Sequence, residues 1–372
     1  MIAESIGAAS LAIWLYLLLG RGGFWRLREK PQPIGPAPTL SVAVIIPARD
    51  EADGIGDAAR SLLTQRYSGD IQVFIVDDHS SDDTAAIALG AAAALGAPDR
   101  LTVLAAGPLP QGWTGKLWAL ATGVERAALM RPDYFLFTDA DIVHALDNVA
   151  NLVARAESGG FDLVSLMVKL RCRSVAERAL IPAFVFFFLK LYPPAWAKGA
   201  AGGCILIRPQ ALERIGGIAS IRAELIDDCA LASSVKRSGS VWMGFTHGTY
   251  SSRDYKTFEE IGRMIARTAF TQLRHSTLLL VGTLLGLAVT YLAPPVLALA
   301  GPSIVTRALG LTAWLLMSVT FLPTLKFYGR SPVWAPALPL IALFYLGATI
   351  HSAVAYWSGR GGLWKGRVQD LR

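Results

Sequence analysis

The sequence predicts an α/β fold: a mainly parallel, doubly wound sheet with flanking helices, set between apolar segments at both termini. Three observations lead there. Short apolar runs alternate with helical patterns from residue 41 to residue 138, as parallel strands joined by crossover helices do. Acidic and basic residues gather where those runs end. The 372 residues are 53% hydrophobic and only 17% charged, too apolar for an ordinary soluble chain, and the excess sits at the two ends.

Taken in order, residues 6–20 form an apolar run containing Trp14 and Tyr16. The run is short for a membrane span, so Ile2 and Ala3 are expected to extend it. No Lys or Arg precedes it and no clear small-residue cleavage site follows, which disfavours a cleaved signal peptide. Arg21, Arg26, Arg28 and Lys30 come next and assign the downstream side to the cytoplasm. Residues 1–20 are therefore expected to be an uncleaved anchor, followed by a basic, Pro-rich, semi-stiff linker over 21–39.

The soluble domain is expected over residues 40–257. Residues 41–46 are a continuous β-branched run, read as a buried parallel strand. A helix over 55–65 and a strand over 71–76 follow. Asp82 or Asp83 caps the next helix, which Gly96 and Pro98 stop. A strand over 101–105, a helix over 117–130 and an aromatic strand over 134–138 complete the alternation. Residues 161–168 form a further strand. The aromatic stretch 179–196 reads equally as a helix in the membrane interface or as a buried core helix, broken by Pro182 and Pro193-Pro194. Residues 258–276 are amphipathic, with Arg263, Arg267 and Arg274 on the polar side, and suit a bilayer surface.

Three apolar segments, about 278–299, 309–325 and 334–356, make up a membrane region over 277–358, followed by a basic tail over 359–372. Three full crossings would put Lys326 and Arg330 on one side and the tail cations Arg360, Lys365, Arg367 and Arg372 on the other. That conflicts with the positive-inside rule, and Pro294-Pro295 would let the first segment be re-entrant.

The formal charge of +7 and the pI near 9.4 do not point to nucleic acid. The basic residues lie beside apolar runs, where anionic headgroups would meet them. The three cysteines form no C-x-x-C pair, and an odd number argues against a disulfide framework. The five histidines show no zinc spacing. A reducing, cytosol-facing catalytic part follows.

In open α/β sheets ligands bind at the carboxyl ends of the strands, and the notable polar residues fall there. After the 134–138 strand come Asp139 and Asp141. Residues i and i+2 of an extended backbone point the same way, so these carboxylates converge if the extension persists. With little cationic cover they would repel, and a divalent ion, Mg²⁺ or Mn²⁺, is the natural third party, bridging nucleotide phosphates. After the first strand, Pro47 fixes a turn and Arg49 and Glu51 follow, with Glu51 in reach of a nucleoside. After the second, Asp77 can accept from a base N–H or a ribose hydroxyl, while Asp82 and Asp83 serve as caps. Trp113-Thr114-Gly115-Lys116 precedes a helix, where Lys116 can meet a phosphate; the Walker A pattern is absent. Asp227-Asp228 opens another helix, either as an N-cap or with one carboxylate as general base. Arg274, beside Gln272, can neutralise a diphosphate or contact lipid phosphate.

Taken together these segments resemble the family 2 glycosyltransferases of GT-A fold, over about residues 41–276. The resemblance implies that Pro47, Arg49, Glu51 and Asp77 hold the nucleoside, and that Asp139 and Asp141 carry the metal on the diphosphate. It also implies that Gly115-Lys116 matches the family's Gly-Lys step, and that Asp228, with Asp227 beside it, supplies the base. The wording of Trp113-Thr114-Gly115-Lys116, Leu225-Ile226-Asp227-Asp228, Phe270-Thr271-Gln272-Leu273-Arg274 and Trp364-Lys365-Gly366-Arg367 is most similar to the bacterial hopene-associated membrane glycosyltransferases. Processive members carry Q-x-x-R-W, whereas here His275 follows Arg274. The missing tryptophan removes a stacking platform for a growing chain and favours transfer of a single sugar.

The expected activity is inverting transfer from a nucleotide-diphosphate sugar, a UDP-sugar by resemblance, to a lipid hydroxyl such as that of a hopanoid. Two alternatives stay open: a polyprenyl phosphate acceptor, and a non-catalytic membrane scaffold that binds nucleotide sugars. The expected location is the cytoplasmic membrane, multi-pass, with the catalytic domain facing the cytoplasm.

Overall fold

The computed structural model describes residues 1–27, 29, 38–196, 199–365 and 367–368. Arg28, Lys30, Lys198, Gly366, Arg372 and the Pro-rich stretch 31–37 of the expected linker lie outside the described residues. In chain order come α1 (Ile2–Leu19), β1 (Val42–Ala48), α2 (Ala52–Leu63), β2 (Ile71–Asp77), α3 (Thr84–Ala94), β3 (Leu101–Ala105), α4 (Gly115–Ala128) and β4 (Tyr134–Thr138). Then follow β5 (Ile142–Val143), α5 (Asn148–Gly159), β6 (Leu163–Lys169), α6 (Val175–Leu191), β7 (Cys204–Ile207), α7 (Pro209–Arg214), α8 (Asp227–Lys236) and β8 (Val241–Ser251). The C-terminal part holds α9 (Phe258–Gln272), α10 (Thr277–Leu287), α11 (Ala293–Ala300), α12 (Ile304–Phe327), α13 (Leu338–Trp357), β9 (Leu363–Trp364) and β10 (Arg367–Val368). The chain divides into two compact units, Glu29–Arg171 with Ala197–Asp254, and Met1–Arg28 with Cys172–Trp196 and Tyr255–Arg372.

The first unit is an eight-stranded mixed sheet in the order β3-β2-β1-β4-β7-β6-β8-β5. β3, β2, β1 and β4 are parallel, and β7 runs antiparallel between β4 and β6. Both faces are covered, as the unbroken apolar reading of β1 requires. Val42, Val44 and Ile46 enter one core with Ile55 and Leu62 of α2, Ala88 of α3 and Leu152 of α5. Ala43 and Ile45 enter the other with Leu117 and Leu120 of α4 and Leu231 of α8. Gly123 of α4 is needed for that second layer, because a Cβ there would lie 2.4 Å from Ile45 Cγ2.

Pro47 does not end β1. Val42 N donates to Asp70 O, and Ala48 O accepts from Asp78 N, so even-numbered residues bond toward β2. Pro47 faces the β4 side beyond the last β1–β4 pair, Ile45 with Phe137, where no ladder bond needs its N–H. The bend comes later, at Arg49 and Asp50, the latter with φ of 50°.

The second unit contains four helices long and apolar enough to cross a membrane: Ile2–Leu19, Thr277–Ala300, Ile304–Phe327 and Pro332–Trp357. Leu19, Leu278, Leu285, Leu299, Ile304 and Leu340 project outward from them. Residues 172–196 cluster with this unit and not with the sheet. α6 begins with a capping box formed by Ser174 and Glu177 and runs unbroken through Pro182. Tertiary packing overrides the proline: Phe186 meets Phe24 and Phe321, and Leu180 O accepts from Tyr345 Oη at 3.0 Å. Of the two expectations for this stretch, the buried core helix is the one seen. α9 is amphipathic, with Ile261, Ile265 and Phe270 buried, and its own capping box joins Thr257 and Glu260.

Pro294-Pro295 interrupt the Thr277–Ala300 helix with a π turn over Ala288–Leu292. The N–H of Ala293 bonds back to Ala288 O, which frees Val289 O, and Pro294 has no N–H to offer Thr290 O. α1 supplies both missing donors. Ser10 Oγ donates to Val289 O at 2.6 Å and Trp14 Nε1 to Thr290 O at 2.7 Å. In an apolar unit such groups must be satisfied internally. Trp14→Phe is therefore expected to cost about 1–3 kcal/mol by orphaning a buried carbonyl, read as a lower unfolding midpoint of the detergent-solubilised protein. An unchanged midpoint would show that the indole N–H does no such work.

Candidate active site

The carboxyl ends of β1, β2, β4 and β8 share one edge of the sheet, and the segment before antiparallel β7 joins them there, since Cys204 pairs with Thr138. Thr114 caps α4, its hydroxyl accepting from Leu117 N, which sets Lys116 in the first turn. Lys116 Nζ lies 2.9 Å from Asp139 Oδ1 and 3.1 Å from Asp227 Oδ2. Burial works against its charge, but Asp139 and Asp227 outweigh that and hold the ammonium well above its usual range. Pro47, Lys116, Thr138, Asp139, Asp227 and Asp228 line one pocket.

Asp228 stands in the first turn of α8. Its Oδ1 accepts from Cys229 N at 2.7 Å and its Oδ2 from Gly202 N at 2.8 Å. A Cβ on residue 202 would come within 3.3 Å of that oxygen, so glycine permits the approach. Burial, then repulsion from Asp227, pushes the Asp228 carboxyl up to about 6, against the pull of Lys116.

Asp139 and Asp141 are not aimed together by a continuing strand. The extended backbone ends at Thr138, and a turn follows in which Ile142 N donates to Asp139 O. Nor do they lack cationic cover. Lys116 holds Asp139, while Arg253 Nε lies 3.5 Å from Asp141 Oδ2. The same Oδ2 accepts from Ser251 Oγ, so among the described residues both contacts of the Asp141 side chain fall on one oxygen. Arg253 also donates from Nη2 to both carboxylate oxygens of Glu51, at 2.7 and 2.9 Å. No cluster of three or more His, Cys, Asp or Glu side chains that could cage a metal occurs among the described residues. A Mg²⁺-like ion takes one or two protein carboxylates and completes its shell with phosphates and water; the side chains here that could serve it are Asp139 and Asp141, with Asp141 Oδ1 making no contact among the described residues.

The remaining expected residues fall as follows. Asp77 pairs with Ala48 across β1–β2, and its carboxylate accepts from Ser80 Oγ. Arg49 donates from Nη1 to Asp78 O at 2.5 Å, tying the ends of β1 and β2 together. Asp82 accepts from Ala52 N and Thr84 N, so it braces α2 and α3; Asp83 is the N-cap of α3 but makes no side-chain cap bond. Gln272 and Arg274 belong to the apolar-helix unit. Gln272 Oε1 accepts from Tyr192 Oη at 2.8 Å. The Arg274 side chain is exposed and makes no hydrogen bond or ion pair among the described residues.

Sequence reasoning missed Arg253, Ser251, Gly202 and His144. His144 is buried and its pKa falls to about 3 through burial, so it is neutral. Asn148 Nδ2 donates to its Nδ1 at 2.9 Å; its Nε2–H then faces Thr138 Oγ1 at 3.0 Å, and that hydroxyl donates to Gly203 O at 2.8 Å. This relay fixes the end of β4 against the Gly202-Gly203 segment that holds Asp228.

The mixed sheet with its flanking helices defines a GT-A-type fold. The fold is similar to that of the mannosyltransferase PcManGT from Pyrobaculum calidifontis in complex with GDP-Man and Mn²⁺, with a TM-score of 0.58 at 18% identity over 94% of this chain and 98% of that one. Glucosyl-3-phosphoglycerate synthase from Mycobacterium tuberculosis, in complex with Mn²⁺, UDP and phosphoglyceric acid, gives a TM-score of 0.43 at 18% identity over 63% of this chain and 78% of that one. No curated protein sequence matches the chain. Residues 43–216 match the family model Glycosyl transferase family 2. Residues 43–216 thus resemble the family 2 glycosyltransferases, and the chain is a glycosyltransferase.

Thr138→Val keeps shape but strips the hydroxyl between His144 and Gly203. Leaving a buried donor and acceptor unpaired is expected to cost about 1–3 kcal/mol for each, read as a fall in the thermal unfolding midpoint. A variant as stable as the wild type would dismiss the relay.

Proposed function

We propose that the protein transfers a single sugar, with inversion, from a nucleotide-diphosphate sugar to a hydroxyl of a membrane lipid. The observation that carries this reading is Asp228: a carboxylate with a raised pKa, gripped through Gly202 N and Cys229 N, in the pocket that also holds Lys116 and Asp139. A general base works best with a pKa near the working pH. Asp228 accepts the acceptor proton as the hydroxyl attacks the anomeric carbon, through an oxocarbenium-like transition state. Lys116 orients the leaving diphosphate. A divalent cation on Asp141, with Asp139 beside it, would supply Lewis-acid neutralisation of that diphosphate. Asp77, Pro47, Arg49 and Glu51 form the wall toward the nucleoside.

Membrane-length helices support a lipid acceptor, and the likeness to hopene-associated enzymes supports a hopanoid or another polyisoprenoid alcohol. The donor base we favour is uracil, by the same likeness; the guanine nucleotide in the similar mannosyltransferase makes GDP-sugars the first comparison. Basic residues after α1 support a multi-pass protein of the cytoplasmic membrane with the sheet in the cytoplasm. Incubating the protein with a panel of labelled nucleotide sugars and a total lipid extract, followed by lipid mass spectrometry, names donor and acceptor together. Absence of any labelled lipid would sink the acceptor assignment.

Asp228→Asn is expected to lower kcat about 10²–10⁴-fold with donor affinity kept. A mild loss would instead favour polyprenyl phosphate, an acceptor already ionised. Below about pH 6 Asp228 takes up a proton and cannot accept another, so kcat/KM rises with pH through an acid limb near 6. Asp227→Asn removes the repulsion and moves that limb to lower pH; a limb that stays put removes Asp227 from the account. For Asp141→Ala, calorimetry is expected to show weaker Mg²⁺- or Mn²⁺-dependent binding of the donor nucleotide, and unchanged affinity would refute the metal role.

A further inference from the structure

The apolar-helix unit contains a pair of cations that no described carboxylate neutralises. Lys190, in the last turn of α6, donates from Nζ to Tyr291 Oη at 2.9 Å. The same ammonium lies 4.8 Å from the centroid of the Tyr291 ring and 5.3 Å from that of Phe187. Arg21, two residues past α1, donates from Nε to Lys190 O at 2.9 Å and from Nη2 to Leu191 O at 3.3 Å. Its guanidinium lies 4.4 Å from the centroid of the Trp196 ring. Arg21 is thus anchored on the backbone of Lys190 itself, and the two charges are held as neighbours. Burial, with repulsion from Arg21, brings the Lys190 ammonium down to about 8.

The described acids of this unit are Glu4, Glu177, Glu259 and Glu260. Glu4 meets the N-terminal amine and Ser303. Glu177 and Glu260 close capping boxes, and Glu259 faces Arg263. Among the described residues, none of the contacts of Lys190 or Arg21 is to an acid. An ammonium has three donors; Tyr291 takes one, and two remain. The π turn that carries Tyr291 is itself braced by Ser10 and Trp14, and such turns recur at functional positions. Two adjacent cations without a counter-ion, walled by aromatic rings, are costly unless an anion completes them. A guanidinium fork beside an ammonium matches the oxygens of a phosphate. Arg21 follows directly on a membrane-length helix, at the depth where headgroups lie.

We propose that Arg21 and Lys190 form a binding site for the phosphate of a membrane lipid, with Trp196, Phe187 and Tyr291 as its walls. The proposal is independent of the acceptor reading above. Two lipids offer this group: a phospholipid headgroup, which would act as a structural ligand, and a polyprenyl monophosphate.

The test uses the delipidated full-length protein in a maltoside detergent, titrated with polyprenyl monophosphate, phosphatidylglycerol or neutral diacylglycerol. Native mass spectrometry reads bound lipid, and thermal unfolding reads the stabilisation that binding to the native state confers. One or both phosphate lipids are expected to bind and raise the midpoint, and diacylglycerol to do neither. Lys190→Met and Arg21→Gln are each expected to weaken phosphate-lipid binding by about tenfold or more, the loss of one charge-assisted bond. Lys190→Arg is expected to restore most of it. Lys190→Gln replaces Lys190→Met if the latter does not fold. Tighter binding of the monophosphate assigns the site to an acceptor-type lipid; equal or tighter binding of phosphatidylglycerol assigns it to a structural headgroup. Equal stabilisation by diacylglycerol, or unchanged phosphate-lipid affinity in both charge-removing variants, overturns the proposal.

Discussion

The bridge from Lys116 to Asp139 and Asp227 is the contact on which the rest of the site depends. Three carboxylates, Asp139, Asp227 and Asp228, crowd around one pocket, and like charges at such range repel. One lysine from the start of α4 offsets them and ties the end of β4 to the start of α8. Its charge is secured by the acids it serves, since burial alone would strip the proton. Asp228 is left one step outside this bridge, near enough to feel Lys116, while burial and then Asp227 keep it from ionising easily. The same arrangement that stabilises the acidic edge therefore sets Asp228 apart from its neighbours by its raised pKa.

A second cation does the corresponding task on the other flank. Arg253 follows β8 and spans Glu51 and Asp141, so the segments after β1 and β4 are linked through a strand far away in sequence. Both bridges use side chains chemically suited to phosphate. On the proposed reading, an arriving diphosphate would compete with protein carboxylates for Lys116 and Arg253, and a divalent ion would compensate the carboxylates so released. That exchange gives a physical reason for coupling between metal and donor binding, because each removes the cost the other would meet alone.

Much of this was legible in the sequence where pattern and position reinforced each other. β1, β2 and β4 read as continuous apolar runs, and the rule that ligands gather at strand ends selected Glu51, Asp77, Asp139 and Asp141, while Lys116 and Asp228 were selected at helix starts, without coordinates. What failed was local geometry. Two carboxylates at i and i+2 aim alike only while the strand lasts, and β4 stops at Thr138. Charges expected to stand bare were paired by Arg253, invisible because β8 is interrupted by Gly244 and Gly248 and does not read as a strand. β7 has only four residues, too few to show a period, so Gly202 and its grip on Asp228 went unseen. Pro182 was read as a break because propensity is local, while Phe186, Phe24 and Phe321 hold α6 straight from outside it.

The segment that ends α9 is a turn held in place by aromatic packing. Arg274 and His275 both adopt left-handed backbone angles, with φ of 53° and 54°, a conformation unfavourable for residues with side chains. The strain is held by His275 N donating to Phe270 O and by the imidazole, which stacks on Tyr356 at 4.1 Å with the planes 5° apart and meets Phe270 edge-on. The His275 ring that follows Arg274 is thus already spent on packing within the apolar-helix unit. A ring face stacked on Tyr356 is not available to a sugar. The local geometry thus holds the imidazole inside the apolar-helix unit, while the same turn leaves the Arg274 side chain exposed.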